Sequence, residues 1–455
     1  MKRGSINVKF IISHGSRFEG KYYLNDYAYN SMIIEQNSES CIRLENLAEV
    51  FNPPVFKRQF CCENGNSIPY YQSSDIATLQ KSGVFIFHGQ AEKLNLVVHK
   101  GDILIAGFGT IIGDTCIAMN FHNGCCFANN VCRVRTFDGI NKGYIAAFLK
   151  SKYGKSLLNN NASGSAIRYI EAPRIKKIPI PLLDDIIQQQ IEKLIRESEE
   201  LREKAFDALE KAKSLIIDFC EYPFKKKSPK YYGRISSTQI RKTLHSRFDA
   251  PVFINDGVEW TRKIRRESQL LGECNINTWY PGMFKRSYVE KGYPYIKGSD
   301  LLLTDPFRKC EMLSKTKTPK LEQLWLKEGQ LLITCAGACG LVKFITKEYE
   351  EKKAIGSPDI IRLVSEDSLF TSEYLFAYLQ LPGIYEFMQS LKYGSVIERF
   401  DIDNIKTIPV IKPSIELSNE VTEIIQNYSE YSYKAYKAED RAISMVEEEI
   451  EKWKN

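Results

Sequence analysis

Pro69-Tyr70-Tyr71-Gln72-Ser73-Ser74-Asp75 returns 225 residues later as Pro294-Tyr295-Ile296-Lys297-Gly298-Ser299-Asp300. Outward from this pair, the chain says nearly everything twice. Ser16-Arg17-Phe18 returns as Ser246-Arg247-Phe248, and Phe56-Lys57-Arg58 as Phe284-Lys285-Arg286. Gly101 to Ile105, with Gly109 and Gly113, is echoed by Gly329 to Ile333, with Gly337 and Gly340. Gly164-Ser165-Ala166-Ile167 matches Gly394-Ser395-Val396-Ile397, and Ile175-Lys176-Lys177-Ile178-Pro179 matches Ile405-Lys406-Thr407-Ile408-Pro409. The offsets stay between 225 and 230, so small loop insertions cancel. A period this long, met only twice, marks a duplicated domain; solenoid units run to roughly 20–50 residues. Two copies on one chain point to a pseudo-symmetric partner with two sites.

The bulk properties agree. A chain of 455 residues is too long for one core and suits two domains with connectors. Its 43% apolar and 26% charged content is that of an ordinary globular protein, and its net charge of +7 permits a polyanionic partner without demanding one. Lys2 and Arg3 are not followed by a continuous apolar core, which argues against a signal peptide. No stretch approaches the roughly 18 uninterrupted apolar residues of a membrane span, so the expected address is the cytoplasm. The twelve cysteines include no Cys-x-x-Cys pair and no accompanying His-x-x-x-His. They read as small, reduced apolar residues rather than zinc ligands.

The expected fold is α+β, with two pseudo-symmetric, strand-rich domains separated by two long antiparallel coiled-coil helices. Residues 1–19 form an N-terminal segment, 20–181 the first domain and 182–220 a central helix. Residues 221–245 are a basic linker and lead-in, 246–412 the second domain and 413–455 a terminal helix. Val84 to Phe87, Leu94 to Val98 and Gly101 to Ala106, punctuated by Gly, Pro and Asn, read as strands. Lys142 to Leu158 and Thr371 to Leu391 read as helical interludes, and both domains finish on an Ile-Pro strand.

Beyond each domain the pattern changes. Ile187, Ile191, Leu194, Ser198, Leu201, Ala205, Ala208, Ala212, Leu215 and Phe219 alternate spacings of four and three, the seam of a heptad helix. At an offset of 230 stand Leu417, Val421, Ile424, Tyr428, Tyr431, Ala435, Ala438, Ala442, Met445 and Glu449. Three consecutive alanines in both seams predict that the two helices pack closely on each other. If a two-fold axis relates the halves, the helices are antiparallel. Ser198, Tyr428 and Glu449 are the seam positions with the polarity to serve partner subunits. A helix of about 36 residues is roughly 54 Å long, longer than one turn of B-DNA at about 34 Å.

Catalytic signals are weak. Asn52-Pro53-Pro54-Val55 is similar to the Asn-Pro-Pro-aromatic loop of amino-methyltransferases, but it lacks the aromatic residue. No Phe-x-Gly-x-Gly cofactor loop precedes it, and the second copy reads Tyr280-Pro281-Gly282-Met283. Gly107-Phe108-Gly109 and Gly337-Ala338-Cys339-Gly340 lack the Gly-Lys-Ser/Thr ending of a phosphate loop. Of five histidines (His14, His88, His99, His122, His245), none falls in a repeated constellation, which excludes a duplicated triad or two-His metal site. Asp184-Asp185 suits a helix start, where the dipole favours negative charge.

Basic and aromatic residues, by contrast, cluster at repeated positions. The candidate DNA-binding set is Lys57, Arg58, Tyr70, Tyr71, Gln72, Ser74, Arg133 and Arg168 in the first copy. In the second it is Lys285, Arg286, Tyr295, Lys297, Ser299 and Arg362. Loop Lys and Arg bind phosphates or guanine edges, while Gln, Asn and Ser read other base edges. Gln72 against Lys297, and Arg168 against Glu398, suggest that the copies read different sequences. Lys225-Lys226-Lys227-Ser228-Pro229-Lys230 reads as a solvated linker able to touch DNA backbone.

In order, duplication and attached heptad helices, these motifs resemble the specificity subunits of type I restriction–modification systems, over essentially the whole chain. The local signatures are Pro-Tyr-Ile-Lys-Gly-Ser-Asp-Leu (294–301), Gly-Asp-Ile-Leu-Ile with Gly-Thr-Ile-Ile-Gly (101–113), and Gly-Ser-Ala-Ile with Ile-Lys-Lys-Ile-Pro-Ile-Pro (164–181). The glycine turn departs from the pattern: it has an extra isoleucine in the first copy and reads Gly-Ala-Cys-Gly in the second. The resemblance implies two target-recognition domains that bind a split sequence in double-stranded DNA, in a chain that is not itself an enzyme and holds no metal. It implies two methyltransferase subunits carrying S-adenosylmethionine and methylating adenine, and restriction–translocase subunits using ATP and Mg. The helices would act as the ruler for the gap and as part of the methyltransferase dock. Two other classes stay open: a stand-alone methyltransferase or nuclease, and a coiled-coil scaffold of a related phage-defence complex.

Overall fold

The computed structural model describes residues 8–13, 26–164, 167–225, 234–241, 243–264 and 267–454. Ser16-Arg17-Phe18, His14, Ser165, Ala166 and the run from Lys226 to Lys230 lie outside the described residues. The chain divides into two units. Unit 1 takes the residues up to Glu203 and those from Ala435 onward, and unit 2 runs from Lys204 to Lys434.

Both units are α+β and repeat one topology. In unit 1, β2 (Ala48–Phe51), β6 (Ile103–Ala106), β7 (Thr115–Ile117) and β9 (Val131–Thr136) form an antiparallel sheet ordered β2-β9-β6-β7. A second sheet, β3-β5-β4-β8, joins β3 (Phe60–Cys61), β4 (Ser67–Tyr71), β5 (Phe85–Phe87) and β8 (Cys126–Phe127), with β4 and β8 parallel. β1 (Cys41–Arg43) pairs with β10 (Pro179–Pro181), the expected Ile-Pro strand. Unit 2 repeats this with β12 (Ile276–Trp279), β16 (Leu331–Thr334), β17 (Val342–Phe344) and β19 (Ile360–Ser365) ordered β12-β19-β16-β17. Its second sheet is β13-β15-β14-β18, from β13 (Tyr288–Val289), β14 (Tyr293–Ile296), β15 (Glu311–Leu313) and β18 (Ile355–Gly356). β11 (Ser268–Leu270) pairs with β20 (Pro409–Ile411).

The all-apolar run of β6 has a simple cause. Ile103 and Ile105 face a core with the helices, whereas Leu104 and Ala106 face a second core with Tyr70, Ile86 and Phe127. A strand alternates its side chains, so one buried between two cores is apolar at every position.

Three local expectations are corrected. In each unit a helix precedes the strands where more strand was expected: α1 (Asp26–Gln36) against α4 (Lys152–Asn160), and α6 (Asp256–Ile264) against α8 (Pro382–Leu391). Ser31 on the buried face of α1 hides the apolar period. Leu94 to Val98 is no strand, because α2 (His88–Lys93) precedes a turn at Asn95 and Val97 makes a single bridge to Cys126. The helical interludes are each two helices. α3 (Lys142–Lys150) stops at Ser151, whose hydroxyl caps α4 by accepting from the Gly154 amide at 3.2 Å. A Cβ at Gly154 would lie 2.2 Å from the Phe148 carbonyl oxygen, so only glycine allows the bend. In unit 2, α7 (Ser372–Leu379) gives way to α8 at Pro382.

Two long helices, α5 (Asp185–Cys220) and α9 (Ile415–Glu451), complete the units. In unit 1, Ile191 and Ile195 from the start of α5 share a core with Ala442, Ile443, Val446 and Ile450 from the end of α9. In unit 2, Ala205, Leu209, Ala212 and Ile216 from the end of α5 share a core with Leu417, Val421 and Ile424 from the start of α9. Start meets end in both, the pairing of antiparallel helices.

The seam itself shifts. Leu417, Val421, Ile424, Tyr428, Ala435, Ala438 and Ala442 are buried as expected, and Tyr431 is half-buried. On α5, Ile191, Ser198, Ala205 and Ala212 are buried, but Ile187, Leu194, Leu201, Ala208 and Leu215 are only half-buried and Phe219 is exposed. Ile195, Arg202, Leu209 and Ile216 are buried instead. The helix packs on a domain core as well as on a helix, which widens its covered stripe past a strict heptad seam. Ser198 and Tyr428 are internal, not partner-facing; the Ser198 hydroxyl donates to the Ala435 carbonyl at 2.8 Å.

Unit 1 also buries charge at these helices. Glu439 accepts two hydrogen bonds from Arg202, at 2.5 and 3.1 Å, and pairs with Lys150. These cations hold its carboxyl well below the usual range despite burial. Glu199 lines a small cavity together with Lys150, Arg202 and Glu439, its Oε1 buried without a hydrogen-bond partner. Burial pushes its carboxyl up to about 7, against the opposing pull of Lys142, Lys150 and Arg202. A carboxyl raised in the folded state costs stability as pH climbs from the unfolded value towards about 7. Glu199→Gln is therefore expected to raise the thermal midpoint at pH 8 by about 2–4 °C, the effect of roughly 1 kcal/mol, and to leave it nearly unchanged at about pH 4, below the unfolded carboxyl value. Calorimetry across that range checks it; equal shifts at both pH values would refute it.

Candidate nucleic-acid interface

The repeated Phe-Lys-Arg motif belongs to a longer strip. In unit 1 it runs from Val55 into β3, and alternate residues meet one tyrosine. Phe56 and Phe60 set their rings edge-on to Tyr70, with centroids 6.4 and 5.9 Å away. Between them the Arg58 guanidinium lies 5.7 Å from the ring centroid, and its Nε donates to the Tyr70 hydroxyl at 2.7 Å. Unit 2 builds the same grip on Tyr295: Phe284 at 6.3 Å, Tyr288 at 6.4 Å and the Arg286 guanidinium at 5.6 Å. Both gripped tyrosines are buried. A cation over an aromatic face contributes about 0.5–1 kcal/mol at an exposed site.

The backbone of the strip is pinned. In unit 1, the Gln90 side chain of α2 donates to the Lys57 carbonyl at 2.7 Å and accepts from the Gln59 amide at 3.3 Å. In unit 2, the Ser314 amide donates to the Ser287 carbonyl at 2.8 Å. Lys57 and Lys285 are left exposed in the middle of each strip.

Beside the strip, β4 and β14 each end in a capped turn. Asp75 accepts from the Gln72 amide at 2.7 Å and from the Ser74 hydroxyl at 3.1 Å. Asp300 does the same for Lys297 at 3.0 Å and Ser299 at 3.1 Å. Gln72, Ser74 and Ser299 are exposed; Lys297 is half-exposed and pairs with Glu311.

Hydrogen bonds draw the glycine turn to the same end of unit 1. Asn130 donates from Nδ2 to the Ser73 hydroxyl at 3.3 Å, and its carbonyl accepts from the Gly107 amide at 3.0 Å. The Gly107 carbonyl accepts from Ile170 at 2.8 Å, closing the excursion that carries Arg168. A Cβ at Gly107 would lie 2.5 Å from the Ile170 oxygen and 2.9 Å from that of Asn130, so the approach needs glycine. Asn52 is a clip: it donates to the Asn129 carbonyl at 3.1 Å and accepts from the Ala172 amide at 2.8 Å. In unit 2 Cys335 stands where Gly107 stands; its thiol reaches the Asp359 carbonyl at 2.9 Å, and Arg286 approaches the Asp359 carboxylate at 3.8 Å.

Several expected DNA contacts are thereby corrected. Arg133 and Arg362 are fully buried. Arg133 donates to the carbonyls of Val131, Leu96 and Phe127 at 2.7–3.0 Å, and Arg362 to those of Gln323, Leu324 and Trp325 at 2.6–3.2 Å. Burial lowers each guanidinium to about 10, so both stay charged at neutral pH. They brace the interior. Tyr70, Tyr71 and Tyr295 are also interior, Tyr71 stacking on Phe127 with centroids 4.8 Å apart. Arg168 is half-buried and tied to the Asn159 carbonyl, while Glu398 at its place in unit 2 pairs with Lys392. Lys57, Arg58, Gln72, Ser74, Lys285, Arg286, Lys297 and Ser299 remain available to a partner. Val55, Gln59, Met283 and Ser287 escaped the sequence reading, although the alternation around each Phe-Lys-Arg was there to be seen.

Among the described residues no cluster of His, Cys, Asp and Glu is placed to hold a metal ion, and no helix is long and apolar enough to cross a membrane.

Two copies of one strand-rich module, each presenting a pinned basic strip, define a duplicated recognition protein. The sequence model of the type I restriction modification DNA specificity domain matches residues 39–204 and again 281–439, more than half of the chain, and the chain belongs to that family. No curated protein matches the sequence. Among solved structures, the S subunit of a type I restriction-modification system from M. genitalium is 14% identical over 89% of this chain and 95% of its own, with a TM-score of 0.36. The HsdS subunit from Thermoanaerobacter tengcongensis is 13% identical over 90% and 95%, with a TM-score of 0.26. The type IIG restriction endonuclease BpuSI is 11% identical over 38% and 28%, with a TM-score of 0.29.

The buried guanidinium makes a clear prediction. Arg362→Met strands three carbonyl oxygens in the interior and is expected to cost roughly 2–4 kcal/mol. Urea unfolding of the variant beside the parent chain measures it, and a loss below about 1 kcal/mol would show that the carbonyls find other partners.

Proposed function

We infer that this chain is the recognition subunit of a restriction–modification complex and binds a DNA target in two parts, one part per unit. Its family supports DNA sequence specificity. The observation that carries the reading further is the strip built twice, with a buried tyrosine holding Phe and Arg on one side and an exposed lysine on the other. A fixed backbone that presents a cation suits a phosphate, and phosphate contacts set register while base contacts specify. Gln72 opposite Lys297 gives the two units different polar groups beside this anchor, which suits two different half-sites.

In this reading the chain contributes recognition and no chemistry. Methyltransferase subunits supply S-adenosylmethionine and methylate adenine within the target. Restriction–translocase subunits use ATP and Mg. The long helices, at 36 and 37 residues, set the gap between half-sites and offer methyltransferase subunits a surface.

Methylation-sensitive long-read sequencing tests this in cells expressing the chain with its adjacent methyltransferase gene, beside cells lacking the chain. The expected result is a methylated-adenine motif in two short parts separated by a fixed gap, lost with the chain. Unchanged modification, with assembly of the subunits confirmed, would refute the reading and favour a scaffold. Lys57→Ala should weaken binding of the assembled complex to all sequences alike. It should also make the plot of log K against log salt shallower by about 0.9, the loss of one phosphate contact on B-DNA. Titrations at several salt concentrations measure that slope, and an unaltered one would remove Lys57 from the backbone.

A further inference from the structure

Alternate residues of each strip contact its buried tyrosine. Phe56, Arg58 and Phe60 lie against Tyr70, although Arg58 and Phe60 keep an exposed edge, while Val55, Lys57 and Gln59 are exposed, Val55 at 87%. Phe284, Arg286 and Tyr288 lie against Tyr295, Arg286 and Tyr288 with an exposed edge, while Met283 is 80% exposed, Lys285 is exposed and Ser287 is half-buried. The contacting sets are nearly identical in the two units. The other sets share only their central lysine.

That pattern separates holding from reading. On a fully extended chain residues two apart lie about 6.6 Å apart, so three alternate side chains span at most about 13 Å. The major groove of B-DNA is about 12 Å wide. The shared lysine is a flexible point charge suited to a phosphate oxygen. The flanking residues differ in the chemistry that base edges distinguish. Glutamine offers a donor and an acceptor together, the geometry for adenine N6 and N7, whereas serine pairs with several edges. Valine and methionine are apolar partners for a thymine methyl group, but one is short and branched and the other long and flexible. With the backbone held by Gln90 in one unit and Ser314 in the other, these side chains keep a fixed register.

We propose that Val55 and Gln59 in unit 1, and Met283 and Ser287 in unit 2, read base edges of double-stranded DNA and set the half-site preference of each unit. The proposal rests on the reading of the chain as a DNA recognition subunit. The gripped tyrosines, Phe and Arg side chains hold the strip in place, and Lys57 and Lys285 anchor it to the DNA backbone.

The test exchanges the flanks in the full chain, assembled with its methyltransferase partner, and sequences the methylated motif. Val55→Met with Gln59→Ser should change the preferred base at one or two positions of one half-site, by roughly 5- to 150-fold against the original base. The other half-site should stay as it was. The reciprocal Met283→Val with Ser287→Gln should alter only the second half-site, and it guards against a single variant that fails to fold. Both half-sites read as before by both folded variants would overturn the proposal and leave the strip a sequence-blind anchor. A parent chain that directs no split motif overturns the underlying reading, and this proposal falls with it.

Discussion

A guanidinium buried with no carboxylate bonded to it governs the layout of each unit. Taking a cation out of water costs several kcal/mol unless polar atoms replace the water. Here they are backbone carbonyls, and they belong to the segments that must stay together. Arg133 of β9, in the first sheet, holds Phe127 of β8 in the second, together with Leu96 between them. β8 pairs in parallel with β4, setting Cys126 opposite Tyr70. Tyr70 then carries the outer strip. Arg362 does the equivalent through Trp325, which bridges to Ile355 of β18, itself opposite Tyr295. A line of direct contacts thus runs from the buried charge to the exposed lysine, and a shift at the arginine would be felt at the surface.

The duplication is not a copy in every layer. Where unit 1 buries Lys150, Glu199, Arg202 and Glu439, the positions 230 residues away hold Gln380, Ser429, Ser432 and Leu209. A charged network occupies one helix junction; an amide, two hydroxyls and an isobutyl group occupy the other. The Gln380 Nε2 is buried without a hydrogen-bond partner. The sheets, the gripped tyrosines and the arginine braces match between units, so the helix junction has diverged further than the frame that carries the strips.

How much of this was legible depended on whether a feature repeats in sequence or only in space. The duplication, the α+β class and the long helices were plain, because each is spelled out in runs of residues at a constant offset. The lead-in helix α1 was not, since Ser31 on its buried face breaks the apolar period. Arg133 and Arg362 looked like surface cations because they repeat and are basic. Their setting, Val131-Cys132-Arg133-Val134 and Ile360-Ile361-Arg362-Leu363, was the clue that each lies in a strand covered on both faces. On the helices the heptad rule found the right stripe and missed its width, since a helix that also touches a domain core buries more than one seam. For the strip, the motif drew attention to the basic residues. The contacts then showed that each arginine, though exposed, lies against a buried tyrosine, and that the unremarked neighbours make no such contact.

One consequence concerns the order in which the protein is completed. Unit 2 is a single uninterrupted run of chain, but unit 1 is not: Ala442, Ile443, Val446 and Ile450 belong to the same core as Ile103, Phe148 and Ile191. The part of the protein made first is therefore finished last. A nascent chain can close unit 2 as soon as Lys434 is available, while the apolar wall of unit 1 waits through 231 further residues, from Lys204 to Lys434, for the helix that covers it. During that interval the exposed wall is open to misassembly or to a holding chaperone. Loss of the last few turns of α9 would injure unit 1 and spare unit 2.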